Sequence, residues 1–524
     1  MKNRMLATAL VALAGSLHAQ LDSLAMKYAA TITAVELKEH LMVLASDEYE
    51  GRETGMPGQK KAAEYITNHF KALGIPPCVG NEYVQTYPLR SESVTGSTLT
   101  LNGEKRDFLD GFLFFPGFSS GDVDVDALTF VGFGIEEDKY SDYGSVDVKG
   151  KVLIAFEGEP VNADGTFLIS GNNEASVWNA DWREKRRIAE EKGAAGLILI
   201  KGEFDRYVGR VKYWLQSPGM RLDYPLKRGE EVLPTYFVSE GLAAEILTKG
   251  KASKLMKMRD KLAKKPGARE VKADLQIAVD RSRQNFTGEN VLAFIEGTDP
   301  VLKNEIVVVT AHYDHIGIVK GEINNGADDD GSGTVSALEI AEAFAKAKAE
   351  GHGTRRSVLV MTVSGEEKGL LGSEWYSEYP VFPLEQTVCD LNIDMIGRID
   401  EAHADDERYV YLIGSDKLST QLHSVSEACN SNYTNLALDY TYNDPKDPNR
   451  FYYRSDHYNF AKHGIPVIFY FSGVHEDYHK PGDDPEKIMY DKTAEIAQLV
   501  FHTAWEVANR DERLPVDVEN EFTD

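Results

Sequence analysis

Acids and histidines cluster beside apolar runs in the second half of this sequence. The five clusters are HYDH (312–315), ADDDGS (327–332), Glu366-Glu367, Asp394 within LNIDMIG, and HEDYH (475–479). Carboxylates crowded at one place cannot all ionise without a cation. Two histidines with several carboxylates and no thiolate suit a borderline divalent metal, most often zinc. Because a carboxylate can bridge two ions about 3.5–4 Å apart, and such pairs serve hydrolysis, the pattern favours two ions over one.

Other chemistries fit these residues less well. Residues 328–339 match a relaxed calcium loop, but a strand-like segment precedes them where that motif needs a helix. Ser364 and Ser455 are not in a G-x-S-x-G turn, and no Gly-rich phosphate loop followed by Lys-Ser/Thr is present. We interpret Ser455-Asp456-His457 as hydrogen-bonded support for a metal site.

The elements around the clusters alternate between strand and helix. Apolar runs at 306–312, 357–364, 391–397 and 465–471 are typical of strands that are buried on both faces. Residues 333–351 have helical periodicity between the first two runs. This order predicts an α/β fold with a mostly parallel sheet flanked by helices, in which ligands gather beyond the carboxyl ends of the strands.

The rest of the chain predicts an interrupted domain. Residues 37–74 read as two helices around a Gly-rich turn, and 148–156, 185–200 and 233–239 carry short strands and a helix. A locally basic stretch, 251–270, reads as a solvated helix that ends before Pro266. We therefore expect a first catalytic part at 20–120, an inserted smaller α/β domain at 121–280, and a second catalytic part at 281–515.

Composition and the first residues limit the function further. The chain has 524 residues and a formal charge of −27, which disfavours nucleic-acid binding. Residues 1–19 have the charged, apolar and small-residue parts of a secretory signal peptide, and no later run is long enough to span a membrane. These features predict a secreted or periplasmic protein, in which a Cys389–Cys429 disulfide is conceivable.

Six motifs, taken in order, resemble the co-catalytic dinuclear zinc aminopeptidases. They are HYDHIG, GADDDGSG, SGEEKGLLGS, NIDMIGR, YRSDH and DYHKPGD, and GRETGMPGQKKAAEYI resembles the opening segment of that family. The wider superfamily includes glutamate carboxypeptidases and glutaminyl cyclases. The intervening segment, with KGKVLIAF and AEEKGAAGLILI, resembles the protease-associated domain that is often inserted in these enzymes.

The resemblance implies a ligand set for two zinc ions. One ion would be held by His312 and Asp394, the other by Glu367 and His479, and Asp329 would bridge them.

It also implies three supporting roles. Glu366 would be the general base that takes a proton from the metal-activated water, and Asp314 would orient the imidazole of His312. Tyr452 matches a tyrosine that donates to the oxyanion, although Tyr453 is its neighbour.

The resulting hypothesis is an exported zinc-dependent exopeptidase, most simply an aminopeptidase acting on peptides. A carboxypeptidase is the first alternative, since Arg454 or Arg398 could bind a terminal carboxylate. A glutaminyl cyclase and a catalytically silent receptor-like protein are the others. Side-chain preference and oligomeric state are not predicted.

Overall fold

The computed structural model describes residues 21–115, 121–144, 146–217, 219–224 and 233–519. The predicted signal peptide at 1–19 lies outside the described residues. The chain divides into two compact units: the first comprises the residues up to Tyr87 and from Thr287 onward, and the second comprises Pro88–Phe286.

The first unit is built on a mixed sheet. Parallel pairings join four neighbouring strands, in the order Ser357–Val363, Ile306–His312, Thr387–Ile393 and Val467–Phe471. Antiparallel neighbours lie on either side, residues 291–295 of Arg281–Ile295 at one side and Tyr409–Ile413 at the other. Tyr409–Ile413 pairs in turn with Ala437–Asp439. The predicted α/β fold with a largely parallel centre is confirmed.

Alternate side chains of the central strands enter two different cores. Val307 and Val309 belong to one apolar cluster, whereas Ile306 and Val308 belong to the other, and all four are buried. This explains the near-continuous apolar runs, because a strand that is covered on both faces has no solvent side. The helices of the unit are Ser23–Ala29, Ala34–Leu44, Pro57–Ala72, Gly333–Ala349, Leu371–Glu378, Thr420–Cys429, His457–Ala461 and Tyr490–Asn509.

One predicted strand ends earlier than expected. The prediction placed Asp394 inside a strand at 391–397, but the strand is Thr387–Ile393 and Asp394 is the first residue after it. The carboxylate therefore does not interrupt the ladder. It lies at the carboxyl end of the sheet, where polar groups are needed.

The second unit has its own sheet and core. The strands of this sheet are Glu104–Asp107, Thr98–Leu101, Ala268–Ala278, Val123–Val131, Val152–Phe156, Gly196–Lys201, Thr235–Ser239 and Phe112–Leu113. Its helices are Val177–Ala180, Arg183–Glu191, Phe204–Gln216, Glu240–Thr248 and Ala252–Leu262.

The second unit begins before the predicted insertion boundary at 121. Thr98–Leu101 pairs with Ala268–Ala278, and Phe112–Leu113 pairs with Thr235–Ser239, so these early strands complete the sheet of Pro88–Phe286. Two-residue and four-residue strands carry too short a pattern for their partner to be read from the sequence. That this unit is a protease-associated domain stays a prediction.

Two further expectations concern thiols and membranes. Cys389 and Cys429 are buried free thiols in the structure, so it does not contain the disulfide that export made conceivable. Among the described residues, no helix combines the length and the apolar character needed to cross a bilayer.

Candidate metal centre

The predicted ligands converge at the carboxyl ends of the parallel strands. His312 is the last residue of its strand, Asp394 directly follows another, and Glu367 lies four residues beyond Val363. Asp329 lies in the turn Ala327–Ser332 that leads into the helix Gly333–Ala349. Strand ends of one parallel sheet meet at one edge, so residues far apart in sequence come together.

The donor atoms form two groups that share Asp329. On one side, His312 Nε2 lies 3.4 Å from Asp329 Oδ1 and 3.6 Å from Asp394 Oδ1. On the other side, His479 Nε2 lies 3.1 Å from both Asp329 Oδ2 and Glu367 Oε2. Two ligands of one tetrahedral zinc ion lie about 3.3 Å apart for metal–nitrogen distances of about 2.0–2.1 Å. The spacing therefore fits two ions with Asp329 between them.

Buried polar atoms without partners support this fit. Within the described chain, His312 Nε2 and Glu367 Oε1 are buried and have no hydrogen-bond partner. Leaving a buried polar atom unpaired costs roughly 1–3 kcal/mol, and more if it is charged. A cation in each of the two donor groups would satisfy these atoms.

The electrostatics of the cluster also favour a cation. Burial lowers the pKa of His312, but the carboxylates of Glu366 and Asp394 outweigh it and hold that pKa well above its ordinary value. At His479, Asp329 and Glu367 overcome the effect of burial and raise the pKa to about 10. The surrounding carboxylates thus stabilise positive charge at both imidazoles.

Glu366 lies beside the donor groups. Its Oε2 is 3.8 Å from His312 Nε2, and its side chain is 12 % exposed. Burial and the nearby charge of Glu367 raise the pKa of Glu366 well above that of an ordinary glutamate. A carboxylate with a raised pKa is a stronger base, as the predicted role of Glu366 requires.

Asp314 contacts the imidazole of His312, the ligand that it is predicted to orient. The main-chain oxygen of Asp314 is 3.1 Å from His312 Nδ1, and its Oδ1 is 3.7 Å from the same atom. Thr54 Oγ1 donates to Asp314 Oδ2 at 2.5 Å, and the N–H of Glu366 donates to Asp314 Oδ1 at 3.3 Å. Asp314 thus contacts a predicted ligand through its main-chain oxygen and the predicted base through its carboxylate.

Ser455 supports Asp394, in agreement with our interpretation of the Ser-Asp-His segment. Its Oγ donates to Asp394 Oδ2 at 2.7 Å and accepts from Asn392 Nδ2 at 2.8 Å. Asp394 Oδ1 is the oxygen that lies nearest His312, so the hydrogen bond to Oδ2 orients the carboxylate.

Two other acids shape the turn that carries Asp329. The carboxylate of Asp330 accepts from the N–H groups of His312, Gly333 and Met395 at 2.9–3.2 Å. Asp483 Oδ2 accepts from the N–H of Asp329 at 3.1 Å. Both carboxylates accept hydrogen bonds from main-chain N–H groups. They hold the backbone that positions the shared ligand.

Arg52 was not singled out as a site residue from the sequence. It is 1 % exposed and donates to four main-chain oxygens at 2.7–2.8 Å, those of Leu44, Tyr313, Asn325 and Gly326. The segment GRETG, which carried part of the family resemblance, was the available signal. Arg52 fixes the two loops that follow His312 and precede Asp329.

Tyr452 and Tyr478 line different cavities. Tyr452 lines a separate cavity with Lys417, whose Nζ is 5.0 Å from its ring centre. Tyr478 instead lines the cavity that contains Asp329, Glu366 and Asp394. Tyr452 is not among the residues that line this cavity, and its role as an oxyanion donor stays a prediction.

Comparison with known proteins identifies the domain. Residues 290–504 match the family model described as peptidase family M28. A probable leucine aminopeptidase 2 of Aspergillus oryzae is 32 % identical over 217 residues, 41 % of this chain and 39 % of that protein. A probable zinc metalloprotease of Pyrenophora teres f. teres is 27 % identical over 46 % of this chain and 55 % of its own length.

Some of these matches are partial. Across the first three curated relatives, the match spans between 21 % and 55 % of the relative's length. An aminopeptidase from Aneurinibacillus sp. strain AM-1 has the same fold, with a TM-score of 0.51 and 19 % identity over 94 % of this chain and 99 % of that one. Residues 290–504 therefore match peptidase family M28.

Proposed function

We propose that this protein is an exported aminopeptidase that hydrolyses peptides with two zinc ions. The observation that carries the proposal is the position of Asp329, whose two oxygens face two separate donor groups at 3.1–3.4 Å. His312 and Asp394 would hold one ion, and Glu367 and His479 the other. The curated relatives described as leucine aminopeptidase and zinc metalloprotease support the reaction class.

The metal ligands and Glu366 would have different roles in hydrolysis. When bound, the ions would lower the pKa of a water molecule and polarise the scissile carbonyl. Glu366 would accept a proton from the attacking water, since its raised pKa makes it a good acceptor, and would deliver that proton to the leaving amine.

Tyr478 is the proposed donor to the oxyanion. Burial and the nearby charges of Asp329 and Glu367 raise the pKa of Tyr478, so its hydroxyl stays protonated. Arg454 Nη2 lies 3.5 Å from that hydroxyl and adds positive charge where the oxyanion develops.

The cavity above the donor groups is mainly apolar. Met395, Phe451, Phe469 and Phe471 line it together with Val474. This lining supports a preference for substrates with an apolar side chain next to the scissile bond.

Two substrate sets test the proposed activity. Leucine anilide and unblocked peptides should be cleaved from the amino end, and a chelator should abolish the reaction. Cleavage of N-acetylated peptides from the carboxyl end alone would contradict the aminopeptidase assignment.

Metal analysis of dialysed protein should return two zinc ions per chain, and a single ion would contradict the paired site.

A carboxypeptidase is the second candidate because of Arg454. This guanidinium lines the cavity that contains Glu366 and Asp394, where it could bind a substrate carboxylate. Arg398, the other predicted cation, is 3.2 Å from Asp477 and does not line that cavity. The N-acetylated peptides decide between the two activities.

Export has its own test. Protein recovered outside the cytoplasm should begin close to residue 20, as determined by N-terminal sequencing, because the predicted signal peptide ends at 19. Intact Met1 on active protein retained in the cytoplasm would contradict export.

A further inference from the structure

A third histidine, His315, lies against the second donor group. It follows His312 by three residues, in the loop between Ile306–His312 and Gly317–Val319, and its side chain is 0 % exposed. The ring packs directly on Gly326, where an added Cβ would lie 2.4 Å from its Cγ. Arg52 holds the backbone on both sides of this contact, at Tyr313 and at Gly326. The ring therefore has little freedom to turn elsewhere.

The ring nitrogen Nδ1 points into the group formed by Asp329, Glu367 and His479. It lies 2.8 Å from Glu367 Oε1 and 3.8 Å from Asp329 Oδ2, and the rings of His315 and His479 have centres 5.6 Å apart. Nδ1 of His315, Oδ2 of Asp329 and a carboxylate oxygen of Glu367 form a set compact enough to hold one ion.

The contact between His315 Nδ1 and Glu367 Oε1 is short but lacks the geometry of a hydrogen bond. Neither His315 Nδ1 nor Glu367 Oε1 has a hydrogen-bond partner among the described residues, although they are only 2.8 Å apart. A residue that merely oriented Glu367 would direct an N–H at this oxygen. When a ring nitrogen and a carboxylate oxygen lie this close without a hydrogen bond between them, the arrangement is that of two ligands that bind one cation.

We infer that His315 supplies Nδ1 as a further ligand to the zinc ion held by Glu367 and His479. The inference rests on the proposed function, because it concerns the same two-ion site. That position would then have two imidazoles and two carboxylates, whereas the His312 position has one imidazole and two carboxylates. His479 is 37 % exposed, so the buried His315 would keep an imidazole on the ion when His479 moves.

Zinc binding to three variants tests the inference. Wild-type protein, His315→Ala, His315→Asn and the control His463→Ala would be dialysed against buffered free zinc over several decades of concentration. His463 is 34 % exposed and lies outside both donor groups, so its variant should bind as wild type. We expect one of the two zinc equivalents to bind about 10–100-fold more weakly in both His315 variants. The other equivalent should be unchanged.

The His315→Asn variant decides whether His315 binds the zinc ion or only orients Glu367. Its amide can donate a hydrogen bond to Glu367 from near the place of Nδ1, but a side-chain amide is a poor zinc ligand. Recovery of wild-type affinity in His315→Asn would overturn the inference, as would unchanged affinity in His315→Ala.

A zinc-loaded crystal structure of the wild-type protein gives a second test that needs no variant. Anomalous scattering should place an ion about 2.0–2.1 Å from His315 Nδ1. An ion bound by Glu367 and His479 but more than about 3 Å from Nδ1 would overturn the inference and leave the proposed function intact. A protein with no zinc at either group would instead refute the proposed function.

Discussion

Ser455 shows how a single hydroxyl can orient a proposed metal ligand, Asp394. It lies in a chain of side-chain hydrogen bonds that runs from Thr310 through Asn392 and Ser455 to Asp394, with distances of 2.7–2.8 Å. All four residues are buried, so each lost bond would leave an unsatisfied polar atom.

We expect Ser455→Ala to weaken zinc binding at the His312 position. Without the Ser455 hydroxyl, Asp394 can turn away from His312, and lost support of this kind costs about 10–100-fold in metal affinity. Dialysis against buffered zinc measures the change, and Ser424→Ala, on an exposed face of the helix Thr420–Cys429, is the matched control. Equal affinities in the two variants would contradict a supporting role.

We expect Glu366→Gln to lose turnover but keep its metal. The amide cannot accept the proton from water, and removal of a general base typically costs about 10²–10⁴-fold in rate. The zinc content should remain at two ions per chain, because Glu366 is not among the proposed ligands. Glu378→Gln, at an exposed position, should behave as wild type. Wild-type rates in Glu366→Gln would refute its role.

At the scale of elements, the segment Asp47–Arg52 connects the beginning of the chain with the site. Arg52 reaches main-chain oxygens of both site loops, 261–274 residues away in sequence. A guanidinium can satisfy several carbonyls at once because its five donors form a planar fork. A short turn near the amino terminus thus stabilises loops that carry His315 and Asp329.

We expect Arg52→Met to destabilise the protein by about 2–4 kcal/mol, since it leaves buried carbonyl oxygens without donors. Urea unfolding monitored by fluorescence measures the loss, and Arg187→Met, at a side chain 51 % exposed, serves as the control. Arg52→Lys should recover only part of the stability, because an ammonium cannot reproduce the fork. A change below about 0.5 kcal/mol in Arg52→Met would contradict this role, since changes of that size are typical of surface sites.

Helices and strands with a regular spacing of apolar residues could be predicted from the sequence. Contacts between segments that are distant in the sequence could not. The strand Ile306–His312 and the helix Gly333–Ala349 agree with the sequence to within two residues, because long apolar patterns identify buried elements. Strand order also predicted that the five acidic and histidine clusters meet at one edge of the sheet. The choice of ligands within those clusters came from the family resemblance and stays a prediction, namely His312, Asp329, Glu367, Asp394 and His479. The contacts of Arg52 could not be predicted, because they are made with loops, and loops have no sequence periodicity. The same reason applies to the position of Tyr478 and to the start of the second unit at Pro88.

At the scale of the whole molecule, all the proposed zinc ligands belong to one of the two units. We expect zinc to raise the unfolding temperature of that unit and to leave the other unchanged, because a ligand stabilises only the fold that binds it. Calorimetry with and without chelator should resolve one zinc-dependent transition and one zinc-independent transition. A chelator that shifts both transitions equally would contradict this expectation.

We expect His502 to reduce the stability of the first unit as the pH falls below about 6.5, the ordinary pKa of histidine. Burial lowers the pKa of His502 to about 4, so between these values the unfolded chain binds a proton that the folded chain does not. His502 is stacked on Tyr433 with ring centres 3.9 Å apart, and His502→Phe retains the aromatic stack. Urea titrations at pH 4–7 should show a shallower pH slope for the variant, and identical slopes would exclude a contribution from His502.

The interrupted order of the first unit has a consequence for synthesis on the ribosome. Arg52 and Thr54 are made early, but their partners at 313–326 follow only after the entire second unit, and His479 later still. The amino-terminal helices therefore cannot bury their apolar faces against the later part of the first unit until that part has been synthesised. The second unit can already fold at that stage. The proposed metal centre becomes complete only when nearly the whole chain has been translated, so a truncated nascent chain is expected to lack the proposed peptidase activity.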